Sequence, residues 1–503
     1  MKRPIDLDKA ATVSQGTSLP SHPAEPRQAK WLPAHYLVRR VGEGAFALWL
    51  ILSLITPSWR YGPFAWLPLW QYEELAGAPM RVGAANLLPL LVVACILLSR
   101  WRAQPRPPWT WGPRALSLPL AGLTVLGTLR LDSGNFRHVF IYGGMYAVAW
   151  LVYLYVLNER PRLLAPIATV LLIQGAVAVG QFLVQHDLGL VPLGELPLHP
   201  AHEGNSVLLA RGQPWLRAYG LTIHPNLLGA LLAALLLLAL PTARGGRGAG
   251  RAARLAAVVA GGAGLFLSFS RAAWLGFGAG LVVWGALGWW QRRRRAGNRS
   301  QKKVQRTSES AMHPEGGLHP ARWVVPWLLG VGLLGLLLFA YRDLVFSRFF
   351  ALDTPTEAQS INDRRRDAEL AMTIIRGAPL TGVGLGEYVA AAQQLDADAA
   401  RVHNVPLLVA AELGLPGLVL WLWLMIAPFW LWLRPGVVAR RDADIGLRLA
   451  PWVAMLVINT FDTTLWLSGN WQTAILFALL AANTVISCRS SVVSSESPVN
   501  TDN

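Results

Sequence analysis

Long apolar stretches recur along the chain and are separated by shorter polar segments. A helix needs about 20 mainly apolar residues to cross the roughly 30 Å hydrocarbon core of a bilayer. Twelve stretches approach that length, near 41–56, 83–99, 115–131, 138–157, 163–184, 222–241, 252–270, 271–290, 322–341, 405–433, 449–465 and 470–487. The pattern predicts an all-α, polytopic integral membrane protein with about 12 transmembrane helices.

The same stretches divide the chain into five parts. Residues 1–40 are polar, rich in Pro and Ser, and lack the apolar segment of a signal peptide, so we expect a disordered cytosolic tail. The parts that follow are N-terminal transmembrane helices over 41–204, a catalytic region over 205–435, C-terminal transmembrane helices over 436–487 and a second cytosolic tail over 488–503.

Composition agrees with a membrane protein, because 53% of the 503 residues are hydrophobic and only 15% are charged. Soluble domains carry roughly 25% charged residues. In a soluble protein the net charge of +17 would suggest nucleic acid as a partner. Here the basic residues are ordered by position instead. We therefore expect no nucleic acid among the partners.

Orientation follows from the basic residues, since cytoplasmic loops carry the excess of Lys and Arg. With the N-terminus inside, 31 of the 45 basic residues, including all five lysines, fall on the cytosolic side. Both termini are then cytosolic, and two long segments lie outside, at 185–221 and 342–403. Only two cysteines are present, Cys95 and Cys488, which excludes a disulfide framework and a cysteine-based metal site.

The larger outer segment, 342–403, is predicted to contain short helices. One amphipathic helix follows Tyr341 and a second covers 364–376, with apolar residues along one side. The Gly-x-Gly-x-Gly sequence from Gly382 to Gly386 does not follow a strand. We therefore interpret it as a turn before another short helix and not as a phosphate-binding loop.

The clearest candidate for chemistry is His403, which precedes a long apolar stretch. Residues 404–433 would form about 45 Å of continuous helix, too long for one perpendicular crossing. We predict a break at Leu-Pro-Gly (415–417), with a half-helix over 404–413 at the outer interface and a spanning helix from 415. His403, followed by Asn404, then stands where a general base could meet a membrane-bound substrate. A solvated or helix-capping histidine is the alternative.

Two acids could orient that histidine. Glu412 lies nine residues further along the helix, a rotation of about 900°, so its side chain should point away from His403. Asp462, at the outer end of the eleventh stretch, is the other candidate. A helix-end acid in contact with water explains Asp462 equally well.

Arginines form a second group of candidates. Arg271 lies at a tight outer turn between two apolar stretches, where a charge is costly without a partner. Arg217 precedes the sixth stretch, and Arg364 begins a run of three arginines in the larger outer segment. The planar guanidinium binds phosphate oxygens bidentately, so arginines converging at the outer interface suit a lipid diphosphate.

A third candidate segment is His224-Pro225-Asn226 at the start of the sixth stretch. Pro225 suits the first turn of a helix, and the Asn226 amide would need a partner near the membrane. A plain helix start with a packing residue at Gly229 is the alternative.

Four segments together resemble the O-antigen ligase superfamily, a group of bacterial polytopic glycosyltransferases that includes O-antigen ligases, polysaccharide polymerases and protein O-oligosaccharyltransferases. They are Arg217 to Gly229, Ser268 to Trp274, Asp363-Arg364 with Pro379 to Tyr388, and His403-Asn404 with Glu412 to Gly414. Together they cover roughly residues 205–435. The aromatic residue that the family carries shortly after the Arg364 equivalent is absent here, where Ala368 and Glu369 stand.

The resemblance implies transfer of a glycan from undecaprenyl diphosphate to a hydroxyl of a lipid, glycan or protein acceptor. The reaction would take place at the outer face of the cytoplasmic (inner) membrane, with inversion at the anomeric carbon and without a metal or cofactor. It implies His403 as the base and Arg271, Arg217 and Arg364 as the diphosphate-binding groups. Supporting roles would fall to His224, Asn226, Asn404, Glu412 and Asp462.

Other functions remain open from the sequence. A polysaccharide polymerase of the same superfamily would use the same donor and the same side chains. Twelve helices also fit a secondary transporter, but transporters place ionisable residues near the bilayer midplane and repeat their topology. A scaffold without catalysis fits the topology but gives no reason for a histidine beside a helix break.

Overall fold

The computed structural model describes most of the chain outside its two ends. The described residues are 34–55, 68–72, 80–83, 87–103, 107–131, 139–210, 212–240, 249–305, 332, 335–336, 339–350, 355–434, 445–463, 466 and 471–493. Most of the predicted N-terminal tail, the end of the predicted C-terminal tail and most of the stretch at 322–341 lie outside them.

Helices dominate the described residues. The fourteen α-helices there are α1 (Ala34–Ile55), α2 (Leu88–Arg102), α3 (Arg114–Leu129), α4 (Gly144–Glu159), α5 (Leu164–Val184), α6 (Pro225–Ala239), α7 (Ala249–Leu267), α8 (Arg271–Gln305), α9 (Arg342–Phe350), α10 (Pro355–Gly377), α11 (Tyr388–Gln393), α12 (Val405–Leu433), α13 (Ile445–Phe461) and α14 (Trp471–Val493). The described residues also form two antiparallel hairpins, β1 (Pro68–Tyr72) with β2 (Met80–Gly83) and β3 (Val207–Ala210) with β4 (Gln213–Leu216).

Eleven of the predicted apolar stretches coincide with helices, and the short helices predicted in 342–403 are also present as α9, α10 and α11. Four helices extend beyond their predicted bounds. Helix α1 begins at Ala34, within the tail predicted to be disordered over 1–40. Helix α8 continues through the basic residues to Gln305, where we expected a disordered loop from 291, and α10 begins at Pro355 instead of near 364. Helix α14 likewise extends to Val493, into the predicted C-terminal tail. The sequence did not predict the hairpins, whose four- and five-residue strands are too short to show a clear alternation.

Five helices among the described residues are long and apolar enough to cross a membrane, within the ranges 141–159, 164–184, 250–267, 271–291 and 405–433. Four shorter apolar helices accompany them, within 114–129, 225–239, 445–461 and 471–485. The protein is therefore a helical, multi-pass membrane protein by these criteria. The number of twelve crossings stays a prediction.

Helix α6 forms the centre of the helix bundle. Its sequence is apolar on every side, and nearly all of its residues are buried, as expected for a helix surrounded by others. It packs against α7, α8 and α13, while α8 packs along α13, α5 along α7, α3 along α12 and α4 along α14. The candidate site lies at one end of this bundle, where α6 and α12 begin.

Helix α12 is interrupted at Gly414, which confirms the predicted half-helix and spanning helix. The break lies one residue before the predicted Leu-Pro-Gly. Gly414 has φ 72° and ψ −178°, and the Leu415 N–H donates to the Pro379 carbonyl at 2.8 Å. The segment at Pro379 thus packs directly into the break.

We expect Gly414→Ala to destabilise the protein. This backbone conformation is essentially confined to glycine and costs other residues about 1–3 kcal/mol. An added Cβ would also lie 2.5 Å from the Leu380 carbonyl oxygen. Gly278→Ala in α8 is the matched control, since a Cβ there meets nothing within 4 Å. The apparent melting temperature in detergent, at one scan rate, should fall only for Gly414→Ala, and equal values for both variants would contradict the prediction.

Candidate active site

A short turn between α7 and α8 positions Arg271. The turn comprises residues 268–270, and Arg271 is the first residue of α8. Arg217 is only 4% exposed, and its Nε donates to the Ser268 carbonyl at 2.9 Å. Its Nη1 donates to Ser206 Oγ at 2.8 Å. A buried guanidinium therefore fastens the turn from which Arg271 starts, and the tight turn predicted from the sequence is confirmed.

Arg217 also begins a polar chain across the start of α6. Its Nη2 donates to Asn226 Oδ1 at 2.6 Å, and Asn226 Nδ2 donates to Asp462 Oδ2, also at 2.6 Å. The Asn226 amide thus has the partners that its position requires. Because these bonds join the start of α6 to the residue after α13, they hold together two segments that are remote in sequence.

His224 caps the N-terminus of α6. Its Nδ1 accepts the Asn226 backbone N–H at 3.1 Å. An Nδ1 that accepts a hydrogen bond carries no proton, so the neutral ring carries its proton on Nε2. His224 interacts electrostatically with Arg217, Asp462 and His403, which brings it into the same group of side chains.

Asn404 caps α12 and so determines where His403 stands. Its Oδ1 accepts the Leu407 N–H at 2.9 Å, and its Nδ2 donates to the Thr460 carbonyl at 3.0 Å. The first bond satisfies an open amide of the half-helix, and the second ties it to the end of α13. His403 immediately precedes this cap, and its side chain is 41% exposed.

The acid paired with His403 is Asp367, which the sequence interpretation missed. Asp367 Oδ2 lies 3.5 Å from His403 Nδ1, and the Asp367 side chain is only 7% exposed. Burial raises the pKa of the Asp367 carboxyl, and the neighbouring His403 ring opposes that rise. Asp367 is in line with Ala371 and Ile374 on the buried side of α10, at helical spacing. An acid on an apolar helix face was the signal that could have found it.

The two acids proposed from the sequence have other partners. Asp462 Oδ2 accepts the Asn226 amide, as described above, whereas the carboxylate seen beside His403 Nδ1 is that of Asp367. Glu412 is only 1% exposed and accepts the Trp466 indole N–H at 2.9 Å. Its side chain thus lies with Trp466, in agreement with the expectation that Glu412 points away from His403.

Glu412 and its neighbours hold the glycine-rich turn after α10. Gly384 N–H donates to the Glu412 carbonyl at 3.0 Å, and Gly382 O accepts Arg130 Nη2 at 2.9 Å. Gly382, Gly384 and Gly386 all have positive φ. The Gly384 N–H and the Gly382 carbonyl are hydrogen-bonded to other protein groups, and the segment is a turn, as predicted.

Only one arginine of the run 364–366 lacks an ion-pair partner among the described residues. Arg365 pairs with Glu369 at 3.0 Å, and Arg366 pairs with Asp396, which holds the pKa of Asp396 below its usual range. Arg364 is exposed and three residues before Asp367, so both lie on the same side of α10. Of the three described arginines, Arg364 is therefore the one whose guanidinium is not engaged in an ion pair with a neighbouring acid.

Hydrogen bonds, ion pairs and electrostatic contacts therefore join most of the predicted residues in one region. The joined residues are Arg217, His224, Asn226, Asp462, His403 and Asn404, with Asp367 added by the structure and with Arg271 and Arg364 beside it. Within the described ranges, no group of three or more His, Cys, Asp or Glu side chains could hold a metal ion. The exposed His403 imidazole beside the buried Asp367 carboxylate suits proton transfer, and the exposed Arg364 guanidinium suits an anionic group nearby.

A comparison with known protein families finds a match that includes part of this region. A family model described as O-antigen ligase matches residues 256–422, an interval that includes Arg271, Arg364, Asp367 and His403. No curated protein matches the chain. The resemblance found in the sequence is confirmed over the matched interval, residues 256–422.

Proposed function

We propose that the protein transfers a glycan from undecaprenyl diphosphate to an acceptor hydroxyl at the outer face of the cytoplasmic membrane. The observation that carries the proposal is the position of His403. Its partly exposed ring precedes the half-helix of α12 and contacts the Asp367 carboxylate. Arg364 lies on the same side of α10 as Asp367. The match of residues 256–422 to the O-antigen ligase family model supports a ligase-like or polymerase-like activity.

His403 serves as the base in this proposal. Its Nε2 takes the proton of the acceptor hydroxyl, and the oxygen attacks the anomeric carbon of the donor sugar. The bond between that carbon and the diphosphate oxygen breaks, and the diphosphate leaves with the electron pair. Attack opposite the leaving group inverts the anomeric centre.

Arg271 and Arg364 bind the diphosphate in this scheme. Negative charge grows on the leaving group as the bond breaks, so guanidiniums placed there stabilise the transition state more than the ground state. The hydrogen bonds of Arg217 favour a supporting role in place of the direct phosphate contact expected from the sequence, since they hold the turn before Arg271. Guanidiniums supply the charge that a metal supplies elsewhere, and we propose a reaction without metal or cofactor.

Cation–π pairs support the proposed orientation in the membrane. Arg434 lies over Trp430 at 3.4 Å, Arg293 over Trp289 at 4.0 Å and Arg100 over Trp109 at 4.2 Å from the ring centroid. Tryptophan is enriched at membrane interfaces, and basic residues are enriched on the cytoplasmic side. All three pairs lie near the ends of apolar stretches, at the ends that the basic residues assign to the cytosol.

Gene deletion followed by gel analysis of surface glycans tests the function and separates its two forms. Loss of anchored long chains, with lipid-linked polymer accumulating, identifies a ligase. Accumulation of single repeat units identifies a polymerase. The wild-type gene and Glu369→Gln, a change at an exposed side chain of α10, should both restore the glycans. Unchanged surface and lipid-linked glycans would contradict the proposal and favour a transporter or a scaffold.

A further inference from the structure

One nitrogen of the His403 ring is enclosed by protein while the rest of the side chain reaches the surface. Nδ1 is buried and has no geometrically ideal hydrogen bond among the described residues, whereas the side chain as a whole is 41% exposed. The polar group that faces Nδ1 is the Asp367 carboxylate, 3.5 Å away. Hydrogen bonds of catalytic groups are often long in a protein without substrate and shorten when substrate binds.

Helix α10 is anchored so that the Asp367 carboxylate stays in place. The side chains of Ala371 and Ile374 are buried on the same side of the helix as Asp367. The Tyr388 hydroxyl from α11 donates to the Asp367 backbone carbonyl at 3.2 Å. The neighbouring Arg366 pairs with Asp396, beyond α11. Packing, a hydrogen bond and an ion pair thus hold the helix turn that carries Asp367 against the rest of the outer segment.

From this geometry we infer that Asp367 is a positioning residue that orients His403 by accepting its Nδ1–H. The proton of the neutral ring then stays on Nδ1, and Nε2 is left unprotonated to receive the proton of the acceptor hydroxyl. When Nε2 becomes protonated, the buried carboxylate stabilises the imidazolium. After transfer, the Nε2 proton passes to water and the pair returns to its first state.

The charged groups around the pair agree with this assignment. Asp363 and Arg366 lie on α10 and interact electrostatically with Asp367, while His224, at the start of α6, interacts electrostatically with His403, Arg217 and Asp462. Burial raises the pKa of the Asp367 carboxyl because it disfavours the charged form, and a hydrogen-bond donor such as the His403 ring stabilises that charged form. The inference rests on the proposed function for the role of Nε2, but the pairing itself can be tested without transfer.

Asp367→Asn tests the pairing by kinetics. An amide keeps the size of the side chain but offers its NH₂ or a neutral oxygen to the ring, as in enzymes where such a change leaves the histidine in the wrong tautomer. We expect transfer to fall by about 10² to 10⁴-fold, the upper value being the loss that this change causes in such enzymes. A carboxylate beside an imidazole favours its protonated form, so the acid limb of the rate–pH profile should move to lower pH. Asp367→Glu should restore part of the rate.

A chemical readout separates failure of this inference from failure of the proposed function. Diethyl pyrocarbonate modifies unprotonated imidazoles, and mass spectrometry reports the modification of His403 against pH without any glycan donor. The modification profile should shift to lower pH in Asp367→Asn and stay unchanged in Glu369→Gln, whose carboxyl is exposed on the opposite side of α10. Wild-type profiles for both variants would overturn the pairing, even if the wild type transfers glycan.

A shifted profile in a protein that transfers nothing would uphold the pairing and contradict the proposed function. If Asp367→Asn does not insert, both profiles are measured on Asp367→Ser, which removes the charge with a smaller side chain. A wild-type profile in Asp367→Ser would equally overturn the inference.

Discussion

His403→Gln should insert and fold like the wild type but transfer glycan about 10² to 10⁴ times more slowly, the usual loss on removal of a general base. Glutamine keeps a hydrogen-bonding group near the position of the ring but cannot take up a proton at physiological pH. His403→Ala should be at least as slow. The cap of α12 belongs to Asn404, so neither change removes the hydrogen bond that begins the half-helix.

The measurement is transfer from purified lipid-linked donor by each purified variant, with EDTA present. His199→Gln is the matched control, because His199 is an exposed histidine of the other outer segment whose Nδ1 accepts the Ala201 N–H. It should keep wild-type turnover. If His403→Gln also keeps it, His403 only positions the acceptor, and His224 or Asp367 becomes the next candidate base.

Arg271→Ala should lose transfer by about 10² to 10³-fold, the range seen when one donor to a developing oxyanion is removed. The physical reason is that Arg271 is proposed to stabilise the leaving diphosphate. It is the first residue of α8, directly after the turn whose Ser268 carbonyl accepts Arg217 Nε. The Arg217 hydrogen bonds do not involve the Arg271 side chain, so the turn should persist in the variant. Insertion and thermal stability should therefore stay close to those of the wild type.

Arg271→Lys separates charge from geometry. A lysine ammonium is a point charge and cannot form the bidentate contact of a guanidinium, so this variant should remain impaired. Arg365→Ala serves as the control, since Arg365 is exposed and pairs with Glu369 on the surface of α10. Full activity of Arg271→Lys would mean that charge alone is needed, and full activity of Arg271→Ala would remove the phosphate role. Activity is measured in the same purified transfer assay.

The helix positions were predictable because a bilayer imposes a length and a composition on each crossing. Helix α5 was predicted at 163–184 and occupies Leu164–Val184, and the break in α12 was expected from an apolar stretch too long for one crossing. The errors lie where no bilayer constrains the chain. The basic extension of α8 and the two hairpins are of this kind, since propensity alone decides little in short polar segments.

Part of the site was also predictable, for a chemical reason. A charge at a tight turn between apolar helices needs a partner, which indicated Arg271, and a histidine before a helix break indicated His403. Such residues are unusual in their surroundings whatever the packing. Their partners are not, because an aspartate or an asparagine in an outer segment looks the same whether water or another side chain binds it.

The sequence by itself determined the helical membrane architecture and the broken helix, and it indicated His403 and Arg271 as candidates for chemistry, because each depends on local length, periodicity or charge. Only the tertiary structure decided which side chains meet. Asn226 and Asp462 bond across 236 residues, and Asp367 reaches His403 only because α10 packs with its buried side inward. Helical periodicity gives the face on which a side chain lies, but the packing of separate helices decides what that face contacts.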